Sequence, residues 1–196
     1  MLTLTLALLL LVSPLGDQAI HPVAAVMPEV TRTAVQVHAG RGEAADLFAI
    51  YLVAERVDPR VAAYGKGDWS QLPLSDSPLI SGDDIIAYDF SKHSMKLRPE
   101  ALARIPRPSL HGTPFLVVAH GQRIYLGAFV TVISSFSCAV PSIIVDRQLL
   151  DPTQPKDTIV IDRAYPSPSF GVGRDPRGDD RIKTALIALH KLPGEG

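Results

Sequence analysis

Cysteine, aromatic residues and net charge are all scarce in this chain of 196 residues. A single cysteine, Cys138, rules out a disulfide within one chain and any multi-cysteine metal site. Aromatic residues make up 6%, thin for a surface that stacks sugars or bases. Lys and Arg number 19 against 20 Asp and Glu, a formal net charge of −1, which argues against nucleic acid as a main partner because phosphate binding needs a basic surface. After the first dozen residues no apolar run approaches the 18 or so needed to cross a bilayer. The catalytic phrases G-x-S-x-G, H-E-x-x-H, G-x-x-x-x-G-K-[ST] and S-x-x-K are absent. What is present is an ordinary globular composition: 46% hydrophobic, 20% charged, with 17 prolines.

Residues 2–12 are apolar or nearly so, too short for a membrane span and suited to a signal-peptide core. Pro14 and Gly16 stop the run, and Val23-Ala24-Ala25 offers small residues for cleavage before Val26. No Lys or Arg precedes the run, a departure from the usual signal. The expectation is a signal peptide over 1–25, a lead-in segment over 26–46 with a short strand at 33–38, and one domain over 47–196. This places the protein outside the cytoplasm, periplasmic or extracellular, with no membrane span once the signal is removed. The shortened chain then carries 19 acids against 19 bases, since Asp17 leaves with the signal.

The body reads as strands and hairpins. Residues 47–54 (LFAIYLVA) form a central strand, and 55–78, rich in Pro and Gly, a long irregular connection. A hairpin spans 85–90 and 94–98, and Pro99-Glu100 opens a short helix that Pro106 and Pro108 end. A second hairpin joins 113–119 to 123–132 through His120-Gly121-Gln122. Further strands fall at 141–146 and 158–162, a loop at 166–180, and an amphipathic helix at 179–192 with Ile182, Leu186 and Leu189 on one side, capped by Asp179 or Gly178. The expected fold class is α+β: a mostly antiparallel sheet with two short helices, packed in two layers.

Few residues suggest chemistry. Gly65-Lys66-Gly67 is a turn, and Gly171-Val172-Gly173 follows prolines, not a strand, so it is no dinucleotide loop. Asp83 and Asp89 sit about 20 Å apart along an extended chain and share no cation, and Asp84 reads as a cap. Asp175, Asp179 and Asp180 alternate with Arg174, Arg177 and Arg181, so salt bridges are expected there, not calcium. The six histidines show no metal-ligand spacing. A Ser–His–Asp set would have to be assembled in space, from Ser134 or Ser135, His93 or His120, and Asp89. Cys138, among apolar neighbours and without an adjacent cation, reads as a small buried residue. No catalytic, cofactor or metal residues are assigned. Tyr125, Gly127 and Phe129 share one strand face and are the candidate peptide-binding residues, as an apolar groove or an open strand edge.

The run Pro78-Leu79-Ile80-Ser81-Gly82-Asp83-Asp84-Ile85, the strand pair and helix after it, and then Pro114–Gly121 with Gln122-Arg123-Ile124-Tyr125 form an ordered set. That order resembles the large periplasmic domain of SecD-type protein-export subunits. There a T-G-x-D-V phrase leads through strand and helix to an A-I-V-L-D-G-x-V hairpin. The resemblance covers residues 78–130. It implies a ferredoxin-like fold able to touch extended polypeptide, without transport activity, since the coupling membrane helices are absent; His120 stands where the phrase carries an acid. The functional expectation is a non-enzymatic exported domain that binds protein or peptide in the cell envelope. A hydrolase with a site built from separate loops, and a structural protein self-associating through the hairpin edge, are the alternatives.

Overall fold

The structure, a computed structural model, describes residues 43–54 and 69–193. The signal peptide, the strand at 33–38 and most of the 55–78 connection lie outside the described residues.

The described chain opens with helix α1 (Glu43–Leu47), runs directly into β1 (Phe48–Leu52), and returns antiparallel as β2 (Ile80–Ser81). A single turn of 3-10 helix at Gly82–Asp84 then leads into the hairpin of β3 (Ile85–Asp89) and β4 (Ser94–Leu97). Helix α2 (Pro99–Arg104) precedes a second hairpin, β5 (Thr113–Ala119) and β6 (Gln122–Val130). The chain finishes with β7 (Ser142–Ile144), β8 (Thr158–Asp162) and helix α3 (Asp180–Ala188).

All eight strands belong to one sheet, in the order β2-β1-β5-β6-β7-β8-β4-β3. Its pairings are antiparallel except β6 with β7, which run parallel. The sheet curls until it is nearly closed into a barrel, since the chain steps from one terminal strand, β2, straight into the other, β3. This corrects the expected two-layer, ferredoxin-like α+β arrangement. The described residues hold three short helices instead of two, and the sheet wraps around its own core instead of resting on a helical layer. The physical reason is apolar substance on the strands themselves: Phe48, Ile50, Ile85, Met95, Phe115, Phe129, Ile143 and Ile161 fill one continuous interior.

Two devices close the structure. At the β5–β6 turn His120 and Gly121 take φ of 49° and 68°, the mirror-type hairpin turn that matches strand twist. At the C-terminal end of α3, His190 takes φ 54°, while Lys191 donates its N–H to Leu186 and His190 to Ile187, a Schellman cap. That cap delivers the Lys191 carbonyl to the Tyr88 N–H on β3 at 2.7 Å. It also sets Leu189 against Gly82, where a Cβ would lie 2.6 Å from the leucine side chain. The C-terminal helix therefore covers the seam between β2 and β3. Among the described residues no helix is long and apolar enough to cross a membrane.

Candidate functional site: a groove beside β7

Helix α2 ends where Pro106 and Pro108 remove N–H donors and force extended backbone. The emerging segment overhangs β7 and the start of β8, leaving a groove of about 660 Å³. Leu102, Ile105, Ile143 and Ile159 supply its apolar lining, and Arg107, Arg147 and Lys156 its cations. Arg147 is spoken for, ion-paired with Asp162 at the end of β8. Arg107 and Lys156 are exposed and have no ion-pair partner among the described residues. The one lining carboxylate, Asp146, already accepts the Val132 N–H at 2.9 Å. The groove is thus apolar at its base and positive at its rim.

Its surroundings are also apolar. Of the eight large hydrophobic side chains exposed in the described chain, four lie within two residues of a lining residue: Leu110, Ile133, Leu149 and Leu150, between 58% and 73% exposed. Single exposed apolar side chains are ordinary, whereas contiguous apolar patches of more than a few hundred Å² are rare on monomeric proteins. The groove shape is fixed locally. Asp151 accepts the Thr153 N–H at 3.0 Å and its hydroxyl at 2.6 Å, and Gln154 donates to the Thr158 carbonyl at 2.9 Å. These bonds hold the 151–158 turn that presents Lys156.

The residues singled out from the sequence fall elsewhere. Tyr125 and Phe129 are buried on the inner face of β6, in the central core. Gly127 is a glycine because a Cβ there would sit 2.3 Å from the Phe115 ring and 2.7 Å from the Pro141 carbonyl oxygen. Both edges of β6 are paired, with β5 and with β7. Tyr125, Gly127 and Phe129 therefore form no open edge, and of the three only Tyr125 borders a cavity, between β6 and the loop after β8. The β5–β6 hairpin offers no free edge for self-association. They share one face, as their spacing predicts, but the sheet closes over it.

The catalytic set is not assembled among the described residues. His93 is half-buried at φ 50°, with Nδ1 unpartnered and its ring edge-on to Phe90 at 5.7 Å. His120 is exposed at the hairpin turn. The Ser134 hydroxyl serves the Thr131 N–H, and Asp89 forms the β3–β4 turn by accepting from Ser91 and Lys92. The hydrogen bond from the Ser91 hydroxyl, with those from Lys92, lowers the Asp89 pKa to about 2. Asp84 is a cap: it accepts the Ser81 N–H at 2.8 Å and an Arg104 guanidinium at 2.7 Å. Burial alone would raise the Asp84 pKa, yet these bonds outweigh it and the net shift is downward. The loop acids pair with arginines as expected, Asp175 with Arg177 and Asp179 with Arg181. Cys138 is buried, with its thiol toward the Val140 carbonyl. Among the described residues no three His, Cys, Asp or Glu side chains gather as a metal set.

Sequence reasoning passed over the groove because it is built from a proline-rich exit, a short strand and a turn, which carry no periodicity. The available signal was the pair of exposed leucines at 149–150 beside Arg147 and Lys156. Compared with known protein families, with curated proteins and with solved structures, the chain matches none.

Proposed function

We propose that this chain is a binding module that holds an extended, acidic segment of another polypeptide in the groove beside β7. The observation that carries this reading is the coincidence of apolar base, exposed leucine and isoleucine flanks, and two uncommitted cations, Arg107 and Lys156, at one concavity. Apolar side chains of a ligand would replace water over the half-buried Leu102 and Ile105, worth about 25 cal/mol per Å² covered. Carboxylates of the ligand would meet the two cations at the rim, where charge favours encounter rate and choice of partner more than affinity. The signal-like run at 2–12 supports a site of action in the cell envelope.

The test is anisotropy of a fluorescein-labelled peptide alternating Leu and Glu, with a Leu/Lys peptide as control. The Leu/Glu peptide is expected to saturate the protein and the Leu/Lys peptide to bind at least about tenfold more weakly. The double variant Arg107→Glu/Lys156→Glu, changed only at exposed positions, should reverse that preference. Equal binding of both peptides, binding of neither, or a double variant with the original preference would overturn the proposal.

A further inference from the structure

A second, smaller cavity shares no lining residue with the groove. It lies between β6, the 139–141 segment and the loop that follows β8, is open to solvent on one side, and has a volume of about 200 Å³. Its walls are Trp69, Leu126, Val140 and Val172, and two arginines, Arg163 and Arg174, line it with no carboxylate among the lining residues.

The arginines are unusual within this part of the chain. Arg147, Arg177 and Arg181 each hold an aspartate, Asp162, Asp175 and Asp179 respectively. Arg163 and Arg174 have no such partner among the described residues. Arg174 lies close enough to Asp179 to add slightly to the downward shift of its pKa, but makes no ion pair with it. Arg163 is built in place. Its Nη2 donates to the Gly173 carbonyl at 2.8 Å. Its stem and Nε lie so close over Gly171 that a Cβ there would be 2.9 Å from Arg163 Cγ and Nε. The bare glycine seats the arginine beside the cavity it lines, with one guanidinium nitrogen committed to Gly173.

We propose that this cavity binds a small carboxylate whose body is apolar or aromatic. Two guanidiniums without protein carboxylates supply the fork geometry that matches a carboxylate. Trp69, Leu126, Val140 and Val172 require the rest of the ligand to be apolar, which disfavours a hydrated inorganic anion. The volume falls below the range of about 300–1,000 Å³ that drug-sized ligands fill, so the ligand is compact. This site is independent of the peptide groove, and either can fail alone.

Trp69 is the only tryptophan of the chain and lines the cavity, so its emission reports on occupancy. Benzoate is the probe, with benzamide and inorganic phosphate as controls. Benzoate is expected to change Trp69 emission saturably, with benzamide and phosphate without effect over the same range. Arg163→Gln and Arg174→Gln should each raise the apparent Kd at least about tenfold. Gly171→Ala, which keeps both guanidiniums but displaces the Arg163 stem, should weaken binding as well. Should Arg163→Gln unfold through loss of the Gly173 bond, Arg174→Gln carries the test alone, being exposed. A response that never saturates, one shared equally by phosphate or benzamide, or one unchanged in Arg174→Gln would overturn the site.

Discussion

The β5–β6 hairpin and the β7 region are both rich in apolar residues and put them to opposite use. β6 is buried from Ile124 to Val130 without interruption. Its inner face meets the barrel core, and on its outer side Leu126 packs with Ala49, Tyr51, Leu116 and Val118 under Trp69, Leu72 and Leu74. β7 has only three residues, and the turn after it exposes Leu149 at 73% and Leu150 at 64%. A continuous apolar run signals a strand covered on both faces. Apolar residues scattered among Pro, Arg and Lys in short irregular segments are the ones left facing water.

The contrast breaks most visibly at Phe129. Its side chain is wholly buried and packs against Phe115, the rings tilted by 53° with centroids 4.9 Å apart. Phe129→Ala should cost about 4 kcal/mol in urea unfolding, through lost burial and the cavity left behind. Gly127→Ala tests the same face by addition. Its new methyl meets Phe115 and the Pro141 carbonyl, and the expected loss is about 2–3 kcal/mol. If either change left stability intact and altered only peptide binding, β6 would be a surface after all and the assignment of roles would be reversed.

Several strands were legible from residue pattern alone. The strand at Thr158–Asp162, the turn at Ser91–His93 and the Asp179 cap of α3 are where local chemistry requires them. Local rules carried those elements because each depends on neighbours in sequence. Closure of the sheet was not legible. It depends on Tyr88 meeting Lys191 and on Gly82 meeting Leu189, pairs separated by about a hundred residues and invisible to any periodicity. The bulge in β6 was equally hidden: Val118 pairs with Arg123 and Val117 with Tyr125, so Ile124 and Tyr125 both join the core. Without closure, Tyr125, Gly127 and Phe129 looked like a free face, and the proline-bounded groove looked like a connection.

Between core and surface lies Arg177, largely buried, which clasps Asp175 and donates to the Ile161 carbonyl. Arg177→Gln should cost about 2 kcal/mol, since it leaves a charged partner and a backbone acceptor unmet. Acid should act on the same corner through His93. Burial, with help from the Arg177 charge and against Asp175 and Asp89, holds the His93 pKa below its ordinary 6.5. As pH falls through about 6.5, the unfolded chain takes up that proton before the folded one. Stability therefore declines below that pH and levels off once folded His93 also protonates. His93→Asn keeps a residue that tolerates the positive φ and should flatten this slope in denaturation at stepped pH. An unchanged slope would assign the dependence to another group.

The smallest change in stability is expected at Leu149, and it sharpens the comparison from the other side. With 73% of its surface in water, Leu149 gains little from folding, so Leu149→Ser should move the unfolding midpoint by no more than about 0.5 kcal/mol. If the groove and its flanks form one binding surface, the same change should weaken the Leu/Glu peptide several-fold, because a ligand would desolvate this side chain even though folding does not. Leu149→Ser paired with Leu150→Ser should weaken it further. A pair that lowered stability by several kcal/mol would mean that these leucines pack into the protein. A pair that altered neither stability nor binding would confine the ligand to the groove itself, between the α2 exit and β7.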